Sequence, residues 1–130
     1  MSLTVAVQMD PLETISIKGD STFALMLEAQ AAAYLRRQGW EVLAERVRTP
    51  VGEVDLVARR GKLLAFVEVK ARASIAAAHR SLDLQRLQRV AAAADFLIPR
   101  FLEDAEDVRI DVIHIVPGYP PHHLEDVWQG

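Results

Sequence analysis

Two short apolar runs stand back to back in the middle of the chain, V-D-L-V-A from Val54 to Ala58 and L-L-A-F-V-E-V from Leu63 to Val69. They are rich in Val, Leu and Phe, and Arg59-Arg60-Gly61-Lys62 joins them with the glycine that a tight turn favours, so the pattern predicts a β-hairpin. Upstream, Ala24, Leu27, Ala31, Tyr34 and Leu35 recur at helical spacing. A helix from Thr22 to Gln38 is expected there, capped by Asp20 or Ser21 and ended by Gly39. Trp40 to Arg48 alternates Val42, Ala44 and Arg46 against Leu43, Glu45 and Val47, as a strand does, and Thr49-Pro50-Val51-Gly52 breaks it. Downstream, Leu84, Leu87, Val90, Ala91, Ala94 and Leu97 form the inward stripe of a second helix, with Ser81 as its cap and Pro99 ending it or restarting it as a turn. Val108 to Val116 reads as a further strand. Residues 73–80 have no clear period and are expected to form a mobile loop near the end of the Glu68 strand. The order helix, strand, hairpin, helix, strand implies an α/β fold with a mixed sheet flanked by helices. Residues 1–20 read as a mobile arm and 21–130 as a single domain.

The apolar runs of the hairpin are interrupted by Asp55, Glu68 and Lys70, charges that are costly in such strands unless they are paired. With an even loop, Arg59 faces Lys62, Asp55 faces Phe66 and Glu53 faces Glu68. Asp55, Glu68 and Lys70 then share one face, and Ala65, Val67 and Val69 turn the other way into a core. Asp55 and Glu68 become diagonal neighbours with Cβ atoms roughly 7–8 Å apart, close enough to lean toward one ion. A three-residue loop would send Asp55 to the opposite face. Two bare carboxylates at that distance repel, and a divalent cation removes the cost. Oxygen ligands suit Mg²⁺ or Mn²⁺. A metal, an activated water and Lys70 beside a developing negative charge are the parts of phosphodiester hydrolysis. The plain alternative is a surface hairpin on which Glu68 and Lys70 form an ion pair.

At 130 residues and 51% hydrophobic the chain has material for a real core. It contains no cysteine, which excludes disulfides, thiolate zinc sites and a cysteine nucleophile. The start lacks the pattern of a signal peptide and no run approaches membrane-spanning length, so a cytoplasmic protein without membrane association is expected. The net charge of −3 argues against nucleic acid until its distribution is considered. Residues 36–100 carry thirteen Lys and Arg against seven Asp and Glu, whereas both flanks are acidic. Phosphate binding follows local charge more than the total.

Asp, a spacer and Glu-x-Lys resemble the PD-(D/E)xK nuclease superfamily. The fuller string G-E-V-D-L-V followed by F-V-E-V-K-A-R resembles the YraN-like family, bacterial proteins similar to archaeal Holliday-junction resolvases. That resemblance implies the restriction-endonuclease-like fold over roughly residues 22–128. It makes Asp55 and Glu68 metal ligands with the Val69 carbonyl beside them, and it gives Lys70 the task of orienting water or stabilising charge at phosphorus. E-A-Q-A-A-A-Y-L resembles the family's first helix, which makes Glu28 a third acidic group, directly or through water. By spacing alone Glu28 sits at the edge of the helix stripe, as a snorkelling surface residue would. Glu53, in the family's G-E-x-D, takes a supporting role. Arg72 at the motif's end and Gln85, Arg86 and Arg89 on the second helix are candidates for phosphate contact, although a solvated helix face explains the latter three as simply.

The residues thus point to a Mg²⁺- or Mn²⁺-dependent endonuclease acting on DNA. Similarity to resolvases implies branched or junction substrates and a homodimer. Two readings compete with it: a non-cleaving nucleic-acid-binding module of DNA repair or processing, and a structural interaction domain. His122-His123 invites a zinc site, but adjacent side chains diverge and no third ligand stands at a convincing spacing.

Overall fold

The computed structural model describes residues 22–80, 82–103 and 105–130; the expected arm and the expected caps at Asp20, Ser21 and Ser81 lie outside them. A helix α1 (Thr22–Arg37) leads into three strands, β1 (Glu41–Thr49), β2 (Gly52–Arg60) and β3 (Leu63–Ala71). Helices α2 (Ile75–Arg80) and α3 (Leu84–Phe101) follow, then β4 (Asp107–Ile115) and β5 (His122–Leu124). The five strands form one sheet in chain order, antiparallel throughout except for the parallel pair β3–β4. The expected mixed sheet is therefore present, with β5 as an added short edge strand.

The sheet separates two cores. On one face Ala31, Ala32 and Leu35 of α1 pack against Leu56, Ala58, Ala65, Val67 and Ile113. On the other, Leu87, Val90, Ala94, Leu97 and Phe101 of α3 pack against Val54, Val57, Leu64, Phe66 and Val112. Alternation along β3 sorts its residues between the two, as period-two patterning requires. The Phe66 and Phe101 rings meet edge-on at 6.4 Å.

Several local expectations change. The cap of α3 is Asp83, whose carboxylate accepts from the Arg86 N–H at 3.2 Å. Leu84, expected inside, is 67% exposed because the helix begins there and overhangs the sheet. Pro99 does not end α3: it costs one helix hydrogen bond, but the Leu102 N–H still closes on the Ile98 carbonyl at 2.9 Å and Phe101 is anchored in the core beyond it. Residues 75–80 form α2 instead of a loop: Ser74 Oγ accepts from the Ala77 N–H at 3.1 Å and Ala78 is fully buried. In β1 the strict alternation fails at a register shift between Val42 and Ala44.

The hairpin register also differs. Pairing runs Leu56–Val67, Val57–Phe66, Ala58–Ala65, Arg59–Leu64 and Arg60–Leu63, so the loop is Gly61-Lys62. The loop is even, as required, but the strands are shifted by two residues, and neither Asp55–Phe66 nor Glu53–Glu68 is a pair. This register places Gly61, with φ +62°, first in the two-residue turn, a position that favours positive φ. A shift by two keeps every side chain on its face.

Gly52 opens β2 against the backbone of α3. A Cβ there would collide with the carbonyl of Arg89. Gly52→Ala is therefore expected to push α3 off the sheet and cost about 1–3 kcal/mol. The denaturation midpoint measures it, and an unchanged midpoint would mean that the helix has slack to move.

Candidate active site on an opened strand pair

The ladder between β2 and β3 stops at Leu56–Val67. One step further, Asp55 and Glu68 come level, but the strands have parted. The Val69 N–H, left without a strand partner on that side, donates to Asp55 Oδ2 at 2.8 Å. A carboxylate thus caps a backbone donor where the sheet opens, which is how a buried peptide group is satisfied away from a ladder. The opening is a cavity of about 210 Å³ lined by Leu27, Glu28, Asp55, Glu68, Val69, Lys70 and Arg86. Four expected site residues, Glu28, Asp55, Glu68 and Lys70, therefore meet around one space together with Val69.

Glu28 is 4% exposed and lies within the buried stripe of α1, not at its edge. It is held by Arg46 of β1, whose Nη1 stands 3.1 Å from Glu28 Oε1. Arg46 has φ +54°, unusual for a non-glycine residue, and sits where the β1–β2 pairing skips Asp55. Nothing in the sequence marks Arg46 for this role. β1 also carries Glu41, Glu45 and Arg48, so a cation there is no anomaly, and the partner of Arg46 comes from a helix that only the tertiary fold brings near.

Glu68 is 2% exposed. Its Oε2 receives Arg86 Nε at 2.8 Å and lies 3.7 Å from Lys70 Nζ, while Oε1 is buried and accepts no hydrogen bond. Burial first, then the Asp55 carboxylate, push the Glu68 carboxyl up to about 7 against the pull of Arg86. Glu53 also faces this side, 3.8 Å from Arg86 Nη2. Burial works against the Arg86 charge, but the hydrogen bond to Glu68 and the fields of Glu68, Asp55 and Glu53 outweigh it and raise its pKa. Arg86 is thus turned into the acidic cluster and not out to solvent with Gln85 and Arg89, which are both exposed. Arg72 is half-buried, its Nη1 on the Ala71 carbonyl at 2.8 Å.

The carboxylates that line the cavity, Glu28, Asp55 and Glu68, offer oxygen donors. That chemistry fits a hard divalent cation, and the buried, unsatisfied Glu68 Oε1 is a ready acceptor. Among the described residues no three of His, Asp and Glu converge tightly enough to cage an ion unaided. Mg²⁺ bound through one or two carboxylates and several waters does not need such a cage.

On the α1 face, Asp111 is fully buried beneath Arg109 at 2.9 Å, His123 at 2.7 Å and the Asp126 N–H at 2.9 Å. Burial opposes its charge, but these partners hold its carboxyl below the usual range. Tyr34 closes the set at 3.3 Å from His123 Nδ1. This network staples the β5 segment to the sheet. His122 points to the other face and stacks on His114 at 6.2 Å, so the paired histidines do diverge. Trp128 packs on the α3 core. No helix among the described residues is long and apolar enough to cross a membrane.

The fold is similar to that of Hjc, a Holliday junction resolvase from the archaeal hyperthermophile Archaeoglobus fulgidus. The TM-score is 0.54 at 16% identity, over 75% of this chain and 72% of that one. This likeness identifies the architecture as restriction-endonuclease-like. In sequence, residues 27–115 match the model of "Uncharacterised protein family UPF0102". A UPF0102 protein of Erythrobacter litoralis is 53% identical over 102 residues, covering 78% of this chain and 88% of the relative. One from Sphingopyxis alaskensis is 52% identical with the same coverage. With most of its length matched, and with the hairpin motif of the YraN-like proteins at its centre, the chain belongs to the UPF0102 family.

Proposed function

We propose that this protein is a Mg²⁺- or Mn²⁺-dependent endonuclease that hydrolyses DNA phosphodiester bonds, with branched or junction DNA as its substrate class. The observation that carries the reading is the opened end of the β2–β3 hairpin, where Asp55, Glu68, Lys70 and Glu28 surround one cavity. A divalent ion in that cavity would supply positive charge for the phosphate and lower the pKa of a bound water. Asp55 and Glu68 would hold it with the Val69 carbonyl, and Glu28, fixed by Arg46, would complete the acidic side, directly or through water. Lys70 reaches the cavity rim, where its ammonium can orient water and meet charge developing on phosphate oxygens. Glu53 supports the cluster through Arg86. Arg72, Gln85 and Arg89, on the basic segment, would contact phosphate. The likeness to a Holliday junction resolvase supports this substrate class. Two copies acting together, in the cytoplasm, belong to the same reading, since paired cuts need two sites.

One feature favours the second reading, a non-cleaving nucleic-acid-binding module. Arg86 already offsets part of the Glu68 charge, as a cation replacing the metal would. Calorimetric titration with Mn²⁺ separates the two. Saturable binding to the native protein that vanishes in Asp55→Asn/Glu68→Gln supports the endonuclease. No binding, even with DNA present, moves the assignment to the binding module.

A further inference from the structure

Next to the acidic cavity lies a larger opening of about 450 Å³, between the first turns of α1 and the segment joining β4 to β5. Phe23 and Leu27 wall one side, Val116 and Tyr119 the other, and Arg72 stands at the edge. Leu27 lines both openings, and the end of β3 runs from Lys70 in the first to Arg72 in the second. The two openings therefore adjoin, and the larger forms a trough beside the acidic site.

Two aromatic rings in this trough are largely bare: Phe23 is 61% exposed and Tyr119 60%. Neither belongs to a core. Tyr119 is also presented on a stiff support. Pro117 fixes one φ, Gly118 takes φ +81°, and the Tyr119 N–H donates to the Val116 carbonyl at 3.1 Å. A turn this constrained, ending in an exposed ring, presents a stacking surface with little conformational entropy to lose. The exposed Leu25 and Met26 of α1 do not line the trough. The lining is mostly apolar, and Phe23 and Tyr119 add exposed ring faces and Arg72 a guanidinium. Ring faces beside a cation suit a nucleobase and its phosphate, and stacking of this kind tolerates any base. A base inside a duplex has both faces covered by its neighbours, so the occupant has to be unpaired.

We infer that this trough holds an unpaired nucleotide leaving the acidic site, with its phosphate on Arg72 and its base against Tyr119 or Phe23. The inference rests on the endonuclease reading and narrows the substrate to DNA that carries a single-stranded arm or branch beside the phosphate to be cut.

Fluorescence anisotropy of the full chain without divalent metal tests it, comparing a duplex bearing a short single-stranded arm with a blunt duplex of the same length. The native protein should prefer the armed duplex. Of Tyr119→Ala and Phe23→Ala, both exposed and so compatible with folding, at least one should weaken armed-duplex binding about tenfold, and both should leave blunt-duplex binding unchanged. Equal losses on both duplexes, or no loss, would overturn the inference. So would a native dimer that the substitutions convert to a monomer in sedimentation, because a second copy would then cover the trough. Parallel cleavage assays in Mn²⁺ keep the two proposals apart. Cutting without arm preference removes the trough alone, whereas arm preference without cutting removes the endonuclease and leaves the trough as a binding site.

Discussion

Replacing Lys70 by alanine is expected to lower metal-dependent DNA cleavage by about a hundred- to a thousandfold while leaving DNA affinity within about threefold. The separation follows from where Lys70 sits. It lies beyond the last β2–β3 pair, but β3 continues beside β4 through a Lys70–His114 pair, so alanine retains the strand. Its side chain is 30% exposed and no core depends on it. Glu68 keeps Arg86 at 2.8 Å when the lysine, at 3.7 Å, is removed. What disappears is one cation at the rim of the acidic cavity. A charge placed there contributes little to a substrate already drawn in by the basic segment, and much to a transition state with extra charge at phosphorus. Single-turnover cleavage of junction and duplex DNA in Mn²⁺, alongside anisotropy titrations, resolves the two effects. If binding and cleavage fell together, Lys70 would be a phosphate contact and the hydrolytic role assigned to it would be wrong.

The residues that meet in the cavity were legible because their anomaly is local. Asp55, Glu68 and Lys70 are charges within apolar strands, and period-two alternation puts them on one face whichever even register forms. The two-residue slip was not legible, because both registers bury the same side chains and only the turn preference of Gly61 decides between them. Glu28 is legible only through family resemblance, since helical spacing alone makes it a surface residue. Its burial requires Arg46 from a neighbouring strand, and nothing in the local pattern couples residues 18 positions apart. Arg86 shows the opposite failure. One polar position in a row of four looks like a solvated face, yet it is the one aimed at Glu68 and Glu53, because α3 crosses the sheet over the opened strand ends. Helices, strands and cores follow from periodicity; which charge meets which follows from packing.

The metal-free protein is expected to lose stability as pH rises from about 4.5 to about 7, by roughly 3 kcal/mol at most. Glu68 is the cause. Its carboxyl is raised from 4.5 to about 7 in the folded state, so in this window the native protein holds a proton that the unfolded chain has released. Proton binding then favours the fold. The contribution is complete below about pH 4.5 and is gone once the pH passes the folded value. Above that, a carboxylate stays charged in a buried place beside Asp55, offset in part by Arg86. Asp111 does not confuse the measurement. Its lowered pKa stabilises above its ordinary value of 3.8 and is lost only as the pH falls below that, outside the window. Glu68→Gln should flatten the profile and exceed the native protein in stability at pH 8, because a neutral amide can still accept from Arg86 without the buried charge. Mn²⁺ at pH 8 should raise native stability and leave the Gln variant nearly unchanged, since the ion offsets a charge that only the native protein carries. Urea denaturation from pH 4.5 to 8, with and without Mn²⁺, reads all three effects. A native profile that rises through the window, or a fall that survives Glu68→Gln, would take the raised carboxyl away from Glu68. Identical Mn²⁺ stabilisation of both proteins would place the ion elsewhere on the molecule and withdraw Glu68 from the proposed metal site.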